Sequence, residues 1–136
     1  MYIQKITKMK NITLIIAIVL TSSFGFAQSG AKINFKAADN TIDYGTVSKQ
    51  NDNGVRSIEF TNTGDAPLII TNVLSTSGFT ITSKPSAAIA PGKSGKVDIK
   101  YNMVPGPIRK TITVESNAVN YDSGRIPLKI KGDVSE

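Results

Sequence analysis

Cysteine and histidine are both missing from the 136 residues. Without cysteine no disulfide can brace the chain, so a folded core has to hold by packing alone. Without histidine the chain lacks the usual general base at neutral pH and the commonest ligand for transition metals. Zinc or copper sites built from imidazole and thiolate are excluded, and so is any Ser-His nucleophile. Tryptophan is absent too, which removes the ring that packs on the disulfide in antibody domains. Beyond the first residues no apolar spacing of helical period occurs. The positive excess of +6 is small, and three of its lysines lie before residue 11.

Those lysines, Lys5, Lys8 and Lys10, precede an apolar run from Ile12 to Leu20, followed by Thr21-Ser22-Ser23-Phe24-Gly25-Phe26-Ala27. A basic start, a short apolar core and small residues at Gly25 and Ala27 predict a secretory signal peptide over 1–27, cut before Gln28. The core is well short of the ~20 residues that span a bilayer. No cysteine follows it, so lipid attachment as in bacterial lipoproteins is chemically impossible. The expected mature chain, residues 28–136, is the size of one domain. Its charge excess falls to about +3, too little to argue for nucleic acid.

The mature chain reads as strands parted by turns. Ile33 and Phe35 alternate with polar neighbours, and Asp39, Asn40 and Asp43 lie in the loop before Tyr44-Gly45-Thr46-Val47. After the turn Gln50–Gly54, Ile58 and Phe60 share one face with Glu59 opposite. Phe60-Thr61-Asn62-Thr63-Gly64-Asp65-Ala66-Pro67-Leu68 reads as strand, polar turn and extended re-entry, with Asn62, Gly64 and Asp65 supplying the turn chemistry. Leu68–Leu74 is nearly all apolar or Thr, as in a strand buried on both sides or central in its sheet. Ala90-Pro91-Gly92-Lys93 fits a type II turn. Val97, Ile99 and Tyr101 point one way with Asp98 and Lys100 the other, and Ile112 and Val114 point inward. The last strand, Arg125–Lys131, places Ile126, Leu128 and Ile130 inside. Pro127 cannot donate to a ladder, so this strand is expected at a sheet edge, its lysines discouraging unwanted pairing.

About seven strands at this spacing predict an immunoglobulin-like antiparallel β-sandwich, over residues 28–136. Its core is expected from Phe60, Leu68, Ile70, Ile99, Ile112 and Leu128.

Four segments in order carry a resemblance: Tyr44-Gly45-Thr46-Val47, Phe60–Leu68, Ile89-Ala90-Pro91-Gly92-Lys93-Ser94 and Thr113-Val114-Glu115-Ser116-Asn117. From about Ile33 to Val134 the chain resembles the bacterial domain-of-unknown-function family fifteen seventy-three. That family is related to the Hydin-type (ASH), choice-of-anchor D and major-sperm-protein immunoglobulin-like domains. The resemblance implies an exported protein with no assigned catalysis. Many members carry Cys-Gly-Cys where this chain has Ser77-Gly78-Phe79, so no metal or redox role carries over. Phe79 is expected to pack inward.

Candidate sites weigh lightly. Asp39, Asp43 and Asp52 lack the spacing of a calcium loop and read as turn residues. Lys93, Lys96 and Lys100 could meet an acidic glycan, but read as a wet face. Asp98, Glu115 and Glu59 sit at outward parities without a pocket-forming loop, which argues against a glycosidase pair. Tyr44, Tyr101 and Tyr121 could stack on sugars only if exposed together, and Tyr101 has core parity. The expectation is therefore no enzyme and no catalytic, cofactor-binding or metal-binding residue. The chain reads as a periplasmic or secreted module that binds or scaffolds, through surface recognition or pairing along a sheet edge. A small carbohydrate- or ligand-binding module is the alternative. The expected partner is another protein of the cell envelope or extracellular space, with a glycan second, no nucleic acid, and no stable membrane insertion once the leader is removed.

Overall fold

A computed structural model describes residues 29–136; the expected leader over 1–27 lies outside them. The strands are β1 (Ile33–Phe35), β2 (Thr41–Ser48), β3 (Val55–Asn62), β4 (Ile70–Leu74), β5 (Phe79–Ser83), β6 (Ser94–Tyr101), β7 (Gly106–Ser116) and β8 (Arg125–Ser135). They form two four-stranded sheets, β1-β3-β6-β5 and β2-β8-β7-β4. This is the immunoglobulin-like sandwich that the alternation predicts, with eight strands rather than about seven. The extra one is β2, which starts at Thr41 and so takes in Asp43 from the supposed loop.

Period-two patterning fixes which side chains meet between the sheets. From β3 come Ile58 and Phe60, from β6 Val97, Ile99 and Tyr101, and from β8 Ile126, Leu128 and Ile130, all buried. Each of the six core residues expected from the sequence is buried. Phe35 and Phe60 pack with ring centroids 5.6 Å apart, while Phe79 stacks on Tyr101 at 4.6 Å. Phe79 is thus a core residue, as expected. The type II turn is also present: Gly92 has φ +80°, and the Lys93 N–H donates to the Ala90 carbonyl at 3.0 Å.

Three expectations need correction. β8 is not an edge strand but lies between β2 and β7. Pro127 is tolerated because β2 begins pairing only at Lys129, so two residues earlier β8 has β7 alone beside it. The β2–β8 pair is parallel, so that sheet is mixed rather than antiparallel. Lastly, β4 is not central. It closes the end of its sheet, and Ile69, Thr71, Asn72 and Leu74 are exposed.

Candidate functional site

A sandwich of two open sheets has four strand edges, and this chain treats them differently. β1 and β2 end their sheets on one side; β4 and β5 end them on the other, joined across the sheets by Ser75–Gly78. The β1 edge is covered by the segment after β7. There the Val119 N–H donates to the Ala31 carbonyl at 2.8 Å. The Asn120 amide accepts from the Ile33 N–H at 3.1 Å and donates to the Ile33 carbonyl at 3.0 Å. One side chain therefore stands in for a neighbouring strand. The β2 edge carries exposed Asp43 and Lys49 and breaks register between Asp43 and Thr46. Charge and kinks are the usual guards of an open edge.

The β4 edge carries no charge, although its ladder with β7 shifts register between Ile70 and Asn72. Asn117 clasps its entrance, accepting from the Ile69 N–H at 2.8 Å and donating to the Pro67 carbonyl at 3.0 Å. From Thr71 to Leu74, among the described residues, no backbone bond reaches beyond the β7 pairing. The Val73 N–H donates to the Asn72 side chain at 2.9 Å. β5 is paired with β6 alone and carries no charge. Residues 66–83 contain no Asp, Glu, Lys or Arg at all. Ile69 and Leu74 are 47% and 38% exposed on this side. That uncharged run was visible in the sequence, but its meaning depended on knowing that both strands it spans are edges.

The polar turn after β3 holds the sandwich together at one end. Asn62 is the buried polar residue of the core. Its Oδ1 accepts from the N–H groups of Gly64 and Lys32 at 2.9 and 3.3 Å, and its Nδ2 donates to the Ala66 and Ile89 carbonyls at 2.8 and 2.9 Å. Asp65 adds a second clasp, accepting from the Gly30 N–H at 2.6 Å. The approach is so close that a Cβ on Gly64 would lie 2.1 Å from the Gly30 carbonyl oxygen.

At the other end, Arg56 makes two bonds to Asp52, at 3.1 and 2.8 Å, and lies 4.1 Å over the Tyr44 ring. The guanidinium, with help from the Gly54 N–H, holds the Asp52 carboxyl down at about 2. Asp52 in turn raises Arg56. Burial pushes the Tyr44 hydroxyl up to about 12, and that hydroxyl donates to the Gly54 carbonyl at 2.8 Å. All polar groups here are satisfied by one another, which suits a rigid corner rather than a reactive centre.

The other candidate residues are not gathered. Glu59 in β3 pairs with Lys36 at 3.3 Å, Asp98 in β6 accepts from Ser57 at 2.6 Å, and Glu115 pairs with Arg125 on the other sheet. Asp39 sits in a turn before β2, and Asp43 bonds the Gly45 N–H at 2.8 Å. Lys93, Lys96 and Lys100 are exposed on a turn and the first sheet's β6. Tyr44 and Tyr101 are both buried and Tyr121 is half-buried, so they form no sugar platform. A cationic group the sequence did not disclose is Arg109 with Lys129 and Lys131, brought together on adjacent strands by the β7–β8 register.

Among solved structures the fold resembles a Porphyromonas gingivalis W83 protein of unknown function, with TM-score 0.59 and 18% identity over 79% of this chain and 48% of that one. It also resembles the Vibrio cholerae VesB protease, with TM-score 0.58 and 16% identity over 75% of this chain and 32% of that one. The ASH/PapD-like domain 7 of human CEP192 superposes with TM-score 0.52 and 14% identity, over 77% of this chain and 86% of that domain. The chain thus spans under half of the first structure and a third of the second. At these identities the likeness is one of fold. No curated protein matches the sequence. Residues 35–134 match the model of a family described as "protein of unknown function (DUF1573)".

Proposed function

The chain belongs to the DUF1573 family, and we propose that it works as an exported, non-catalytic binding module that takes an extended segment of a partner protein along β4. The observation that carries this is the contrast between edges. β1 is sealed by Asn120 and Val119 and β2 is charged, whereas β4, whose ladder with β7 also shifts register between Ile70 and Asn72, carries no charge and has no strand on its outer side. A strand added there would satisfy backbone groups, while Ile69 and Leu74 offer apolar contact to alternate side chains. The leader pattern over 1–27 supports a periplasmic or secreted location, and hence a partner in the cell envelope or outside the cell.

Catalysis has no support in the residues. The likeness to a protease is a likeness of fold, and a chain without histidine cannot assemble a Ser-His-Asp triad. The carbohydrate-module alternative loses its aromatic platform with Tyr44 and Tyr101 in the core.

The test is affinity capture from an envelope extract with three baits: the wild-type protein, Ile69→Lys/Leu74→Lys, and Lys96→Glu as a control on the other sheet. A partner kept by the control and lost by the β4 variant, with β4 amides exchanging more slowly in the complex, is the expected outcome. Capture unchanged by Ile69→Lys/Leu74→Lys would overturn the reading.

A further inference from the structure

The central place of β8 removes the simplest explanation for its lysines. At an edge, lysines repel unwanted strands. Inside a sheet they guard nothing, yet Lys129 and Lys131 stand exposed on the outer face of β8. The register then sets Arg109 of β7 directly opposite Lys131. Like charges facing each other across neighbouring strands destabilise a sheet. Asp43 offsets Lys131 only loosely, at 3.8 Å with both side chains more than half exposed. Among the described residues, Arg109 and Lys129 have no ion-pair partner. A shallow open depression of about 480 Å³ lies over this group, lined also by Thr41, Lys110, Thr111 and Ile130.

We propose that this outer face of the second sheet, at Arg109, Lys129 and Lys131 with Thr41 and Thr111, binds an acidic polysaccharide. Anionic groups along the polymer would relieve the Arg109–Lys131 repulsion, and the threonines would exchange hydrogen bonds with sugar hydroxyls. Nucleic acid fits worse, because the aromatic rings among the described residues are poorly placed to stack a base: Phe35, Phe60, Phe79, Tyr44 and Tyr101 are buried, and Tyr121 is half-buried against the core. Carboxylates bound the patch, with Asp43 and Asp133 at one end and Glu115, held by Arg125, at the other. They confine the positive region to a few residues and disfavour a broad anionic surface. This face is separate from the β4 edge, so either proposal stands or falls without the other.

The experiment measures binding of protein expressed from the full chain to heparin and to polygalacturonate, with dextran and an oligothymidine strand beside them. Binding to the acidic polymers but not dextran, weakening as salt rises from about 50 to 300 mM, is expected. Arg109→Ala/Lys129→Ala should weaken it by about tenfold or more, against less than about twofold for Lys96→Ala/Lys100→Ala, which removes equal charge from the other sheet. Circular dichroism of each variant confirms that the sandwich persists. No binding, equal losses in the two variants, or oligothymidine bound as tightly as the polysaccharides would each overturn the proposal.

Discussion

The side-chain amide of Asn62 donates to the main-chain carbonyl of Ile89 at 2.9 Å, inside the sandwich. Ile89 is itself bridged to Leu68 by a pair of backbone bonds at 2.8 and 2.9 Å. One asparagine thus ties the end of β3 to the segment before β6 and, through Ile89, to the approach to β4. Its four bonds satisfy main-chain groups that are half-buried at Lys32, Gly64 and Ala66 and fully buried at Ile89.

Replacing Asn62 should therefore be costly out of proportion to its size. Asn62→Ala leaves the half-buried N–H groups of Lys32 and Gly64 and the carbonyl of Ala66 without their protein partner, and takes from the buried Ile89 carbonyl one of its two bonds, the other being to the Leu68 N–H. A loss of about 2–5 kcal/mol in urea unfolding is expected. Asn62→Asp keeps the acceptor but loses the donors and buries a charge. Desolvation favours the neutral acid, so this variant should be less damaged at low pH than at neutral pH. Equal urea midpoints for wild type and Asn62→Ala would show that the turn holds without the amide.

Phe60 tests the core in the same way. It is wholly buried, packs on Phe35, and faces Gly95 across the β3–β6 ladder, where a Cβ would lie 2.9 Å from its ring. Phe60→Ala should cost about 3–5 kcal/mol. Gly95→Ala should also destabilise, by crowding rather than by a void. An unchanged urea midpoint for Phe60→Ala would contradict this placement.

Asp52 makes a prediction about acid. Its carboxyl titrates at about 2 in the folded chain, against an ordinary value of 3.8, chiefly because Arg56 bonds the charged form. A folded value below the unfolded one means the stabilisation is complete above pH 3.8 and fades as pH drops towards 2. With a fifth of the side chain exposed, the contribution is about 1–2 kcal/mol. Asp52→Asn should flatten the dependence of the urea midpoint on pH between 2 and 5, while lowering it at neutral pH. Parallel pH curves for the two proteins would remove Asp52 from the account.

What the sequence disclosed and what it hid divide along a physical line. Alternation is local, so the inward sets Ile58/Phe60, Val97/Ile99/Tyr101 and Ile126/Leu128/Ile130 could be read from their own strands. Neighbourhood in a sheet is not local. Pro127 was a fair sign of an edge, yet β2 arrives in parallel two residues later and makes β8 central. Leu68–Leu74 looked central because it is apolar and uncharged, and β4 is instead an edge strand. Asn62 read as an ordinary turn residue; only the fold brings Lys32, Ala66 and Ile89 round it. The cluster at Arg109, Lys129 and Lys131 likewise exists only through register.

The sealed β1 edge offers a way to ask whether edges govern association in this protein. Asn120 occupies both the N–H and the carbonyl of Ile33. Asn120→Ala removes that stand-in strand while leaving the core untouched, since the side chain lies at the surface. β1 then presents free backbone groups beside Lys32 and Lys36, whose charge opposes pairing between copies. A triple variant, Asn120→Ala/Lys32→Ser/Lys36→Ser, removes both guards. It should associate with increasing concentration in light scattering, where the single variant stays closer to wild type. Should all three remain equally monodisperse, the Asn120 bonds serve only to fix the loop, and the contrast between a closed β1 and an open β4 loses its force.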